Sequence, residues 1–144
     1  MIDLKEIPNW WPVCGNRACE QQESCLRQHV YERMTETNVN EWVCLMPTAW
    51  EGKSCEHFVD NKPQRIARGF SKMTSILHNR EHRYQIRMAM TQYFGSKGTY
   101  YRYKDGMRKL SPEQQQWILA LFSQYGYTDG IEFDKYEEGF CYEV

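Results

Sequence analysis

Gly95-Ser96-Lys97-Gly98-Thr99-Tyr100-Tyr101-Arg102-Tyr103-Lys104-Asp105-Gly106-Met107-Arg108-Lys109-Leu110-Ser111-Pro112-Glu113-Gln114 is the most sharply punctuated stretch of this 144-residue chain. Gly95 can take the left-handed conformation at low cost, so it ends a helix arriving from about Arg80. A short helix from about Lys97 to Lys104 follows and stops at Asp105-Gly106. Ser111 is the cap of the next helix and Pro112 its first residue. Gln114 completes a Ser-x-x-Gln capping box. Trp117, Ile118, Leu121, Phe122 and Tyr125 form the apolar stripe of that helix, and Gly126 ends it.

Working outward, Ile86, Met90, Tyr93 and Phe94 mark the inner face of the helix before Gly95. Pro63 suits the first position of an earlier helix running to about His78. Ile66, Phe70, Met73 and Leu77 recur there at spacings of 4, 3 and 4. Downstream, Ile131 and Phe133, then Phe140, Tyr142 and Val144, alternate on either side of Tyr136-Glu137-Glu138-Gly139. That pattern predicts a C-terminal β-hairpin. Residues 1–61 read as irregular, broken by Pro8, Pro12, Pro47, Gly15 and Gly52. A short helix is expected from Ser24 to Met34, with Leu26, Val30, Tyr31 and Met34 on one face. Trp10, Trp11, Trp42 and Trp50 are expected to form a small core.

The irregular segment carries Cys14-x4-Cys19-x5-Cys25 and then Cys55. Zinc prefers four soft or borderline ligands in a tetrahedron, and loop-borne cysteines can supply them. Binding would also organise a segment with little regular structure of its own. His29, one turn after Cys25, and His57, two after Cys55, are alternative ligands. An iron–sulfur cluster also takes four cysteines, and buried free thiols are the plain alternative. Cys44 and Cys141 read as core. No apolar run approaches the ~20 residues that span a bilayer. The N-terminus lacks the basic and apolar regions of a signal peptide. A reducing cytoplasm is expected, where cysteines seldom rest as disulfides.

The net charge of −1 conceals segregation. Residues 1–61 sum to −5, residues 62–109 to +10 and residues 110–144 to −6. Lys97, Arg102, Lys104, Arg108 and Lys109 would line one side of the basic block. Phosphate contacts need such groups. With Thr99 and Tyr100 at the helix start, they are the candidate nucleic-acid contacts, for DNA or RNA. A solvated basic face, or one docking on an acidic protein, is the other reading. Little points to an enzyme, although Cys-His chemistry stays open because sequence does not show whether a thiolate has a base nearby. There is no phosphate-cradling glycine loop, no Gly-x-Ser-x-Gly and no His-Glu-x-x-His. His78 and His82 are four apart and read as a solvated pair.

Residues 80–122 resemble the helix-turn-helix of phage-repressor-like regulators. A turn glycine, a short helix, an Asp-Gly-x-Arg loop and a Ser-Pro-Glu helix occur in the same order. The turn is one residue short, and Thr91 stands where a smaller residue is usual. The whole chain resembles an uncharacterised family of small cytoplasmic proteins from Bacteroides-type bacteria. That likeness rests on Cys-x4-Cys-x5-Cys-Leu-Arg, on the later cysteine with Lys62-Pro63 to Gly69-Phe70, and on Tyr-Tyr-Arg-Tyr with Ser-Pro-Glu-Gln-Gln. Glu56 follows Cys55 where proline is expected. The family resemblance implies an architecture and no activity.

The expectation is a mainly α (α+β) protein. A Cys-rich segment (1–61) precedes a helix-turn-helix-like bundle (62–127) and a β-hairpin (128–144), together one compact domain.

Overall fold

The computed structural model describes residues 2–51 and 55–142. The architecture is mainly α with one two-stranded antiparallel sheet. The chain divides into two units. Residues 1–62 with 142–144 form one, and Pro63–Cys141 form the other.

In the first unit, α1 (Leu26–Glu36) buries Leu26, Val30 and Met34 at spacings of four, as the apolar pattern predicts. Ile7, Trp11 and Val13 join them in the core. Backbone bonds tie the segments together. Val13 donates to the Val43 carbonyl at 2.9 Å, and Leu45 donates to the Val13 carbonyl at 2.9 Å. Of the four tryptophans, only Trp11 is buried. Trp10 is exposed, while Trp42 and Trp50 are half-buried. The Trp42 indole needs an acceptor and finds the Trp11 carbonyl at 2.9 Å, which holds it at the rim.

The second unit contains β1 (Gln64–Arg68), α2 (Ser71–Ser75), α3 (Arg80–Phe94), α4 (Lys97–Lys104), α5 (Pro112–Gln124) and β2 (Lys135–Gly139). Local signals set α3 to α5. Asn79 accepts from the N–H groups of Glu81 and His82, and Gly95 ends α3 with φ +97°. The Ser96 hydroxyl caps α4 by accepting from the Thr99 N–H. The Ser111–Gln114 box closes in both directions at 3.3 and 2.9 Å. Replacing Ser111 by alanine should cost about 1 kcal/mol in chemical denaturation. Gln114→Glu, which keeps the box, should cost less.

The stretch expected to be one helix from Pro63 to His78 is a strand, a turn and a short helix. Ile66, Phe70, Met73 and Leu77 are all buried as the periodicity predicts, but not by a continuous helix. Gly69 breaks it with φ +77°. A Cβ there would stand 2.6 Å from Asp134 Oδ2. That carboxylate accepts from the N–H groups of Ser71 and Lys72 at 3.0 and 2.9 Å, capping α2 from a distant part of the chain.

The C-terminal strand likewise finds a different partner. Residues 136–139, expected to form a turn, lie within β2 and pair antiparallel with β1, Gln64 opposite Gly139 and Arg68 opposite Lys135. Charge favours this pairing. Arg65 faces Glu138 and also covers the Tyr136 ring, and Arg68 Nε donates to Glu137 Oε1 at 2.9 Å. That hydrogen bond, ahead of the surrounding cations, holds the Glu137 carboxyl below its ordinary range. A depressed native pKa stabilises the fold above the unfolded value. The gain is lost as pH falls through the native value. Glu137→Gln should therefore destabilise by no more than about 1 kcal/mol at neutral pH. In a pH series of melts, the gap from the parent should close in acid.

The core of this unit runs from Ala67 to Phe133 and includes Ile86, Met90, Ile118 and Phe122. Buried Gln115 links α5 to β1. Its Nε2 donates to the carbonyls of Arg65 and Leu110 at 2.8 and 2.9 Å.

Candidate functional site

Backbone hydrogen bonds in the first unit tie together the segments next to Cys14, Cys25 and Cys55. Cys25 caps α1 in an extended conformation and bridges to Asp60. Leu26 donates to the Val59 carbonyl at 2.6 Å, which lays the segment after Cys55 along the helix start. Cys14 donates its N–H to the Arg27 carbonyl at 3.3 Å. The Arg27 side chain completes the assembly. Its Nε donates to the His57 carbonyl at 2.7 Å and its Nη1 to the Pro12 carbonyl at 2.6 Å. One guanidinium thus joins the segment before Cys14, the segment after Cys55 and the helix of Cys25.

The environment of Arg27 is unusual. The residue is 7% exposed and its guanidinium lies 4.4 Å from the centre of the Trp11 ring. Among the described residues no carboxylate pairs with it. Burial pulls its pKa down, and the anionic forms of Cys25, Cys55 and Cys14 oppose that pull. The Trp11 indole N–H is also buried without an acceptor.

Cys14 feels the other three sulfurs. Burial raises its thiol pKa most. A backbone hydrogen bond from Asn16 lowers it, and charges on Cys25, Cys55 and Cys19 raise it further. The Gln21 N–H points at Cys19 Sγ at 3.4 Å, again from two residues downstream. Thiol sulfur is a weak acceptor and thiolate a better one, so the Asn16 contact favours the Cys14 anion.

All six cysteines are free thiols. Among the described residues no three His, Cys, Asp or Glu side chains converge to ion-ligating distance.

His29 is engaged elsewhere, its Nε2 lying 2.6 Å from the Glu23 carbonyl and 3.0 Å from Asn61 Nδ2. His57 is half-buried and contributes its carbonyl to Arg27. Cys44, expected in the core, is exposed, because the Val13 bridge fixes its backbone at the rim. Cys141 is half-buried. Arg27 escaped the sequence reading, whereas Trp11 was expected in the core and is there. Arg27 could have been suspected from its place two residues after Cys25.

The candidate nucleic-acid contacts divide. Lys97 and Arg102 are exposed on α4, and Thr99 and Lys104 are half-buried. Tyr100 is 3% exposed and packs on Phe70, so its ring cannot reach a base edge. Burial pushes its phenol up to about 12. Arg108 lies over the Tyr103 ring at 5.0 Å, and Lys109 Nζ donates to the Phe140 carbonyl at 3.2 Å. Tyr100 was expected outside because it stands at a helix start, yet its face of α4 is the packed one. The acidic strand β2 meets Arg65 and Arg68 instead of α4. His82 is half-buried with Nδ1 3.0 Å from the Tyr127 hydroxyl, and His78 is exposed, so the two do not act as a pair.

A family model described as a family of unknown function (DUF6078) matches residues 1–142. The chain belongs to the DUF6078 family. No curated protein and no solved structure matches it. Among the described residues of this DUF6078 member, no helix is long and apolar enough to cross a membrane.

Proposed function

We propose that this DUF6078 protein holds a structural metal ion, zinc, on the thiolates of Cys14, Cys19, Cys25 and Cys55. Its basic helical unit then binds nucleic acid. The observation that carries the first part is the buried Arg27, which has no carboxylate partner among the described residues. A buried cation is costly unless an anion compensates it. Four thiolates on a divalent ion carry a net charge of −2, and Arg27 joins the segments that bear three of them. The donors at Asn16 and Gln21 stabilise the same charge. Such an ion would act as a staple for the fold, because it would tie together segments with little regular structure of their own. A thiol reagent tests this part. Exposed Cys44 should react at once, and the four proposed ligands only after a strong chelator is added. Immediate reaction of all four would refute the site.

The nucleic-acid part rests on Lys97 at the capped start of α4 and Arg102 in its last turn, both exposed and without carboxylate partners among the described residues. The helix-turn-helix resemblance of residues 80–122 points the same way. Duplex DNA should be retarded at about 50 mM salt and released steeply as salt rises. An unshifted duplex under those conditions would leave α4 as a solvated or protein-docking face.

A further inference from the structure

We propose that the second unit also contains a pocket for a small phosphorylated molecule, between α2, α3 and α4. The cavity measures about 480 Å³, within the ~300–1,000 Å³ usual for small-ligand sites. Arg83, Arg87 and Lys104 line it, and no Asp or Glu does. Among the described residues none of the three cations has a carboxylate partner. Leu77, Ile86 and the ring of Tyr100 supply an apolar floor, all three buried. Like charges over a low-dielectric floor focus a positive potential into the cavity.

Arg83 is held in place. Its Nε and Nη2 both donate to the Leu77 carbonyl, at 3.1 and 2.8 Å. Its position is set before a ligand arrives, while its charge stays uncompensated. Arg87 follows one helical turn later on α3, on the same face. Lys104 Nζ stands 5.6 Å from the Tyr101 ring centre, at the end of α4. The hydroxyls of α2 give their protons to backbone carbonyls, as with Ser75 to Lys72 at 2.6 Å. The cations are therefore the groups that meet a ligand.

Three cations exceed what a single carboxylate neutralises. A phosphate monoester carries about −1.5 to −2 and offers three acceptor oxygens. Guanidinium groups match that geometry. The floor favours an organic body on the phosphate over the bare ion. The pocket shares Lys104 and Tyr100 with the candidate nucleic-acid contacts, but Lys97 and Arg102, on which the proposed duplex binding rests, do not line it. It stands whether or not the protein binds DNA or a metal.

Calorimetric titration with phenyl phosphate, inorganic phosphate and duplex DNA tests it. Phenyl phosphate should saturate one site per chain below about 10 mM and bind more tightly than inorganic phosphate. Arg87→Gln with Lys104→Gln should weaken it at least about tenfold. Arg87 is exposed and Lys104 half-buried, so the fold should survive, which circular dichroism would verify. Lys72→Gln with Arg80→Gln removes the same charge outside the cavity and should change binding by less than about twofold. The proposal fails if phenyl phosphate does not saturate, if both double variants weaken it equally, or if only DNA binds.

Discussion

Replacing Cys25 by serine is expected to abolish metal retention and to destabilise the N-terminal unit by about 3 kcal/mol or more in denaturant titrations. The substitution isolates sulfur chemistry. Cys25 is the N-cap of α1, and serine is a better cap than cysteine. The two side chains are nearly the same size, so packing changes little. A cysteine that served only as core would cost about 1–3 kcal/mol for the buried hydroxyl, and the cost would be the same with and without metal. A ligand thiolate lost from a four-sulfur site leaves an open, weaker centre, and the segments holding Cys14 and Cys55 lose their common anchor. Cys44→Ser is the companion variant. Its side chain is exposed, and metal content and stability should match the parent.

Arg27→Met is expected to cost about 3–5 kcal/mol in the metal-loaded protein, the usual penalty for removing one partner of a buried charge pair. Methionine retains most of the volume against Trp11 but loses the donors to Pro12 and His57. Its dependence on metal identifies the cause. If the thiolates compensate Arg27, the stability gap between parent and variant should be wide with metal bound and narrower after chelation. Denaturant titrations with and without chelator measure both gaps. A gap equal in the two states would assign Arg27 to backbone hydrogen bonding alone. A variant more stable than the parent in both would mean that Arg27 has no anionic partner.

The helices that begin and end on local signals were legible in the sequence. Gly95, Asp105-Gly106 and the Ser111-Pro112-Gln114 box each act within a few residues, and α3 ends, α4 ends and α5 begins where those residues say. Long-range pairing was hidden. The spacing of Ile66, Phe70, Met73 and Leu77 named four buried residues correctly, yet it could not show that β2 supplies hydrogen bonds to residues 64–68. Nor could it show that Asp134 caps α2 across 62 residues of chain. Strand 135–139 resembled a turn because its two glutamates are polar, and their partners Arg65 and Arg68 lie far upstream.

The candidate site followed the same division. Cysteine spacing marked the four thiols. The cation proposed to compensate them, Arg27, emerged only when burial and its contacts with Pro12 and His57 were seen. The pocket cations Arg83 and Arg87 were legible as charge but not as a cavity, since α2 and α4 close it from either side.

The central claim is that four thiolates hold one ion beside a buried guanidinium. Elemental analysis of freshly purified full-length protein, with metal set against chain concentration, tests it most directly. One zinc per chain, lost in Cys14→Ser and Cys25→Ser and retained in Cys44→Ser, is the predicted result. Metal-free protein that stays fully folded, with all six thiols titratable, would contradict it.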